Sequence, residues 1–70
     1  MEVKYFVINN NGGIIAEENT YGEAMRSLFN HTAYRLDLYD TLDGLKFIVS
    51  KCIDGESKPV YSVSAKKLIK

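Results

Sequence analysis

The side chains that could do chemistry in this chain are one histidine, one cysteine and a few aspartates. His31 is the only histidine, and a general base or metal ligand at that position would need a partner side chain. Its neighbours Asn30 and Thr32 are typical of a helix end, where a protonated histidine also complements the helix dipole. Cys52 has no second cysteine to pair with, so we expect a small hydrophobic strand residue. Both residues are therefore predicted to be structural.

The aspartates come closest to a metal site. Asp37, Asp40, Asp43 and Asp54 do not follow the alternating ligand ladder of a calcium loop, and the chelating glutamate is missing. Three of them fall in predicted turns, where aspartate is common because its side chain bonds the local backbone. With no nucleophile–base pair and no metal set, the sequence predicts a protein that is not an enzyme and uses no cofactor.

Length and charge limit the class of protein further. Seventy residues predict one domain spanning 1–70, with 66–70 as a short basic tail. Nine basic and nine acidic residues cancel, so no overall field favours nucleic acid or an anionic membrane. The N-terminal residues do not resemble a signal peptide, and no segment approaches the ~20 apolar residues needed to span a bilayer. We therefore predict a cytoplasmic protein without a membrane contact.

One stretch, Thr20–Asn30, predicts a helix. Thr20 lies three residues before Glu23, the spacing of a capping box, in which the glutamate side chain reaches back to the threonine backbone N–H. Apolar residues then recur on a 3.6-residue period. That stripe comprises Tyr21, Ala24, Met25, Leu28 and Phe29.

Most of the remaining chain alternates with the period of two that is typical of strands. Five strands are predicted: Glu2–Ile8, Ile14–Glu18, Tyr34–Tyr39, Leu45–Ile53 and Pro59–Ala65. The resulting fold class is α+β, with the order ββαβββ and one helix packed on one face of a five-stranded antiparallel sheet.

Alternation also divides the strand residues between the two faces of the sheet. The face toward the helix should carry Val3, Tyr5, Val7, Ile14, Ala16, Leu36, Leu38, Leu45, Phe47, Val49 and Val63. We call the other side the open face, because a single helix can cover only one side. It should carry Phe6, Ile8, Ile15, Tyr39, Ile48 and Val60 among Lys4, Arg35, Asp37 and Lys46.

The open face and the basic tail together form the predicted partner-binding site. Apolar surface of this extent usually marks an interface, whereas aromatics beside lysines can also stack on single-stranded nucleic acid. Neutral net charge favours a protein partner, a second copy of the chain included, over nucleic acid. The predicted site residues are Lys4, Phe6, Ile8, Arg35, Tyr39, Lys46, Ile48, Lys66 and Lys67.

In its element order the chain resembles the small inhibitors of bacterial defence made by phages and mobile elements, anti-CRISPR proteins among them. The segments that carry the resemblance are EVKYFVI, TYGEAMRSLFN, YRLDLY, LKFIVSKCI and VYSVSA. Abundant Lys, Ile, Asn and Tyr also fit the AT-rich coding of a low-GC bacterium or its phage. The resemblance implies a protein in the host cytoplasm that masks a surface on a larger complex, for example a CRISPR-Cas nuclease complex. Many such inhibitors are strongly acidic, and this chain is not, which disfavours a DNA mimic.

Overall fold

The chain folds as α+β, with a four-stranded antiparallel sheet and two helices in its described part. The computed structural model describes residues 2–35 and 43–68. The strands lie in the order β2-β1-β3-β4. In chain order the elements are β1 (Val3–Asn9), β2 (Ile14–Glu18), α1 (Tyr21–Arg35), β3 (Lys46–Ile53), β4 (Glu56–Ser64) and α2 (Ala65–Leu68).

Helix α1 is longer than the predicted Thr20–Asn30, because it continues to Arg35. The helix end predicted from Asn30 and Thr32 is therefore wrong, since both residues lie inside the helix. No glycine or proline in this stretch would end a helix. The His31 ring also lies edge-on to the Phe47 ring, with centroids 5.8 Å apart, which fixes the additional turn to the core.

The predicted third strand, Tyr34–Tyr39, is wrong at its start. Tyr34 and Arg35 are the last two residues of α1, and residues 36–39 lie outside the described part of the chain. The five-stranded ββαβββ order is therefore not confirmed, and the described strands give ββαββ with a short terminal helix. Alternation misled here because a short run of alternating residues can also continue a helix when tertiary contacts support it.

The start of α1 is capped by the residues that the sequence indicates. The backbone N–H of Glu23 donates to Thr20 Oγ1 at 3.1 Å. The second bond differs from that of a capping box. The Thr20 hydroxyl donates to Glu23 Oε1 at 3.0 Å, whereas in a capping box the backbone N–H of Thr20 would donate to the glutamate side chain. Thr20 nevertheless satisfies one of the free N–H groups of the first turn.

The hydrophobic core lies between the sheet and α1. The strand residues of the core, Val7, Phe47 and Val49, are among those predicted to face the helix. In the helix stripe, Ala24 and Leu28 are fully buried, while Tyr21 and Phe29 are exposed. The following core residues are at most 3% exposed: Val7, Ala24, Leu28, Leu45, Phe47, Val49 and Ala65. Ala65 begins α2, so both helices belong to the same core and the same side of the sheet.

A bulge in β2 reverses the predicted positions of two isoleucines. Val7 is opposite Ala16 while the next residue, Ile8, is opposite Ile14, which leaves Ile15 as the additional residue. Ile15 consequently packs against the core, whereas Ile14 is 70% exposed. The predictions for both residues are wrong, because strict alternation takes no account of a bulge.

A second bulge lies in β4. Tyr61 is opposite Val49 and Pro59 is opposite Ser50, so Val60 is the additional residue. Val60 and Lys51 line the same groove. The Lys51 Nζ atom lies 6.0 Å from the centroid of the Tyr5 ring, which is on the helix side of the sheet. The predicted place of Val60 on the open face is therefore wrong. Proline lacks an N–H, and an edge strand with a bulge is where a sheet tolerates it.

Candidate functional site

Three isoleucines form a row across the open face. Ile8 of β1 is opposite Ile14 of β2 on one side and opposite Ile48 of β3 on the other. Residues directly opposite each other on neighbouring strands project from the same face of a sheet. Ile8 and Ile48 are half-buried, and Ile14 is mostly exposed. The row therefore presents a continuous band of β-branched side chains.

Next to this row lies a second, mixed row. Phe6 is opposite Glu17 on β2 and Ser50 on β3. Ser50 is only 6% exposed, and Phe6 is half-buried. Farther along, Lys4 is opposite Cys52. The open face is thus apolar across its middle and becomes polar toward the start of β1.

No described helix covers this face. Val7 and Val49 point to the opposite side, where they pack with Ala24 and Leu28 of α1. Because side chains alternate along a strand, Ile8 and Ile48 project away from both helices. Within residues 2–35 and 43–68, α1 packs on β1, β2 and β3, and α2 on β4. The prediction that one side of the sheet lacks a helix holds for that part of the chain.

The predicted cations of the site separate into paired and unpaired groups. Lys4 donates to Asn19 Oδ1 at 3.1 Å and lies 3.5 Å from the Glu17 carboxylate. Lys66 forms an ion pair with Asp43. By contrast, Lys46 and Lys67 have no ion pair among the residues that the structure describes.

Not every predicted site residue lies on a described strand of the open face. Arg35 is the last residue of α1, which packs on the other side of the sheet. Tyr39 lies outside the described residues, as do Asp37 and Asp40. The structure therefore brings together Phe6, Ile8 and Ile48 from the predicted set, with Lys4 at one end and Lys46 at the other.

The chemically versatile side chains have structural contacts. Across the described residues, no group of three His, Cys, Asp or Glu side chains could hold a metal ion. His31 lies against Phe47, and Asp54 occupies a turn with φ of 51°. The Lys66 ammonium, through a hydrogen bond and charge attraction, lowers the pKa of Asp43. His31 and Asp43 thus take part in contacts that hold α1 and α2 to the rest of the described chain.

Sequence reasoning missed Ile14, which is the most exposed large hydrophobic residue of the row. The only local signal for the β2 bulge was two adjacent isoleucines after Gly13, which fit either phase of the alternation equally well. Pro59 was a better signal for the β4 bulge, since proline in a strand is confined to edges and irregular positions.

Comparison with known proteins finds no matching family model, no matching curated protein and no matching solved structure. Neither described helix is long and apolar enough to cross a membrane. The site must therefore be interpreted from its own geometry.

Proposed function

We propose that this chain is a non-enzymatic binding protein that masks a surface on a larger protein complex, as small phage-type inhibitors do. The observation that carries the proposal is the row of Ile14, Ile8 and Ile48 in register across three adjacent strands. A band of this kind is apolar and built on a rigid element. These properties suit the desolvated centre of a protein–protein interface.

Burial of the row supplies the free energy of such an association. Each Å² of apolar area removed from water contributes roughly 25 cal/mol. Ile14, at 70% exposure, has the largest fraction still to bury. Ile15 packs against the core in the place predicted for Ile14, so the Ile14 side chain is left exposed.

The proposed target is a CRISPR-Cas nuclease complex in the host cytoplasm, and this step rests on the architectural resemblance of the chain to anti-CRISPR proteins. A small antiparallel sheet with a helix on one face supports it. Inhibition would follow from steric masking, which requires affinity and shape but no catalytic group.

Nucleic acid is the second candidate. Lys46 and Lys67, both without a described ion pair, are the observation that favours it. The isoleucine row argues against it, since aliphatic side chains do not offer the stacking platform that aromatic residues offer to bases. The pairing of Lys4 and Lys66 with carboxylates further reduces the positive charge available for phosphates.

Site-directed photocrosslinking would test the proposed face directly. A photoreactive phenylalanine analogue at position 48 would lie on the open face, and the same analogue at position 60 would lie on the helix side as the matched control. We expect irradiation in the lysate of a low-GC bacterium to give protein crosslinks at position 48 that survive nuclease treatment and are absent at position 60. Equal crosslinking at both positions would contradict the proposal. Crosslinks to a second copy alone would identify the partner as this chain itself.

A further inference from the structure

The turn between β3 and β4 determines how the backbone groups of β4 are oriented. Its two central residues, Asp54 and Gly55, have φ of 51° and 87°, the pair of positive values that defines a type I′ hairpin turn. The residues on either side of the turn, Ile53 and Glu56, are opposite each other in the register. A turn of this kind closes on a hydrogen bond between those two residues.

Ser57 directs its backbone N–H and C=O toward the outer edge of β4. Antiparallel pairs alternate between residues that exchange hydrogen bonds and residues that do not. Because the turn closes on a bonded pair, the next pair, Cys52 and Ser57, is of the second kind. The backbone groups of Ser57 therefore point away from β3. Pro59, two residues on, is opposite Ser50 in a pair of the same kind, which suits a residue without an N–H.

This edge of β4 is accessible over its first residues. In the order β2-β1-β3-β4, the described neighbour of β4 is β3, and every residue from 56 to 60 is exposed. A strand edge with outward N–H and C=O groups is a template for a further strand. Pro59 and the bulge at Val60 limit that template, because proline supplies no donor and a bulge breaks the ladder. A partner strand can therefore pair around Ser57 and no farther than Pro59.

The charges beside Ser57 favour one kind of partner strand. Glu56 and Lys58 project from the same side of β4, since side chains alternate along a strand. Lys58 is directly opposite Lys51 of β3, and like charges in that arrangement are destabilising. A carboxylate opposite Lys58 on its other side would offset this repulsion. An antiparallel strand with the sequence Glu-Ser-Lys provides that carboxylate, and residues 56–58 of the chain have this sequence themselves.

We propose that a second copy of this chain pairs with β4 edge to edge, in an antiparallel dimer centred on Ser57. In this register Ser57 is opposite the Ser57 of the copy and exchanges two backbone hydrogen bonds with it. Glu56 of each chain is then directly opposite Lys58 of the other, so the same ion pair forms twice, as two-fold symmetry requires. A shift of two residues in either direction would place Glu56 opposite Glu56 or Lys58 opposite Lys58, which is unfavourable.

The dimer is closed and small. Pro59 lies opposite the turn residue Gly55 of the copy on both sides of the axis, so the pairing ends there. An interface of this length belongs to the weak end of specific association. Glu56 and Lys58 lie on the helix side of the sheet, as Lys51 does beside the Tyr5 ring. The isoleucine row lies on the opposite side, so the dimer leaves it accessible and does not depend on the proposed protein partner.

Exchange of the two charges tests this register. Sedimentation equilibrium of the parent at concentrations up to about 1 mM should show a monomer–dimer equilibrium. Glu56→Lys places a lysine opposite Lys58 of the copy, and Lys58→Glu places a glutamate opposite Glu56. Each variant alone should therefore associate at least about tenfold more weakly. An equimolar mixture of the two variants should regain association, as should the double variant Glu56→Lys with Lys58→Glu, because opposite charges again face each other.

Two control variants separate strand pairing from net charge. Glu17→Lys and Arg26→Glu change the net charge by the same amounts at exposed positions of β2 and α1. Each should dimerise like the parent, and equal weakening in these controls would overturn the proposal. Ser57→Pro removes the outward N–H and should also weaken the dimer. A parent that stays monomeric would overturn the proposal too, as would association that both single charge variants retain or that their mixture fails to restore.

Discussion

At the start of α1, the Thr20 hydroxyl caps the first turn of the helix. Thr20 Oγ1 accepts from the Glu23 N–H and donates to the Glu23 carboxylate. Glu18, just before it, accepts from the Ser27 hydroxyl at 2.5 Å. The connection between β2 and α1 is therefore determined by a few short-range polar contacts.

Removal of that hydroxyl should weaken the whole domain. Thr20→Ala should lower the free energy of unfolding by about 1 kcal/mol, the usual effect of losing an N-cap. In a domain of this size that corresponds to a fall of several degrees in the melting temperature. Thr20→Ser keeps the hydroxyl and should melt close to the parent in the same calorimetric scan. An alanine variant with an unchanged melting temperature would show that α1 is capped elsewhere.

The ion pair at the start of α2 predicts a dependence on pH. Lys66 lowers the pKa of Asp43 below its ordinary value of 3.8, first by a hydrogen bond and then by charge attraction. A carboxyl whose pKa is lowered on folding stabilises the fold above its unfolded pKa, and this contribution disappears as the pH falls through the folded pKa.

The stability difference between the parent and Asp43→Asn should therefore be constant at neutral pH and should shrink in acid below the ordinary value of 3.8. The difference should be small throughout, because an exposed ion pair is screened by water. Urea unfolding across a pH series would measure it. The same series in a Lys66→Gln background is the control, where the acid-dependent part should vanish; its persistence there would assign it to another group.

At the scale of elements, the two bulges decide which side chains face a partner. The sequence was sufficient for β1 and for the core residues of β3, because β-branched and aromatic residues favour a strand. It was also sufficient for the helix start, because Thr20 and Glu23 have the spacing of a cap. It was insufficient for β2 and for the end of α1. One additional residue in β2 exchanges Ile14 with Ile15, and the packing of His31 on Phe47 supports a longer helix.

This exchange can be measured with two neighbouring substitutions. Ile15→Ala should destabilise the domain by about 1–3 kcal/mol, since a half-buried isoleucine loses part of its core packing. Ile14→Ala, at a mostly exposed position, should change stability by less than about 0.5 kcal/mol. Denaturant unfolding of both variants gives the comparison. Reversed magnitudes would mean that β2 pairs in the unbulged register.

At the scale of the whole molecule, the chain is asymmetric between its two sides. α1 and α2 share one core on one side of the sheet, and the other side presents the isoleucine row with Lys46 at its end. Phe6, Ile8 and Ile48 lie on one face of the sheet, as period-two alternation predicts without reference to strand order. Strand order and the positions of the cations depend on long-range pairing, which the local pattern does not encode.

Quantitative affinity capture of matched variants would show whether the open face binds a protein. The parent, the face variant Ile14→Ser with Ile48→Ser, and the control Tyr21→Ser with Val60→Ser would each be immobilised in a nuclease-treated lysate of a low-GC bacterium. Both double variants remove exposed or half-buried apolar side chains, and only the first lies on the open face. We predict that specific proteins are retained by the parent and the control and are reduced at least about tenfold by the face variant, a loss of more than about 1.4 kcal/mol. Equal retention by all three proteins, or retention that disappears with nuclease, would contradict the account.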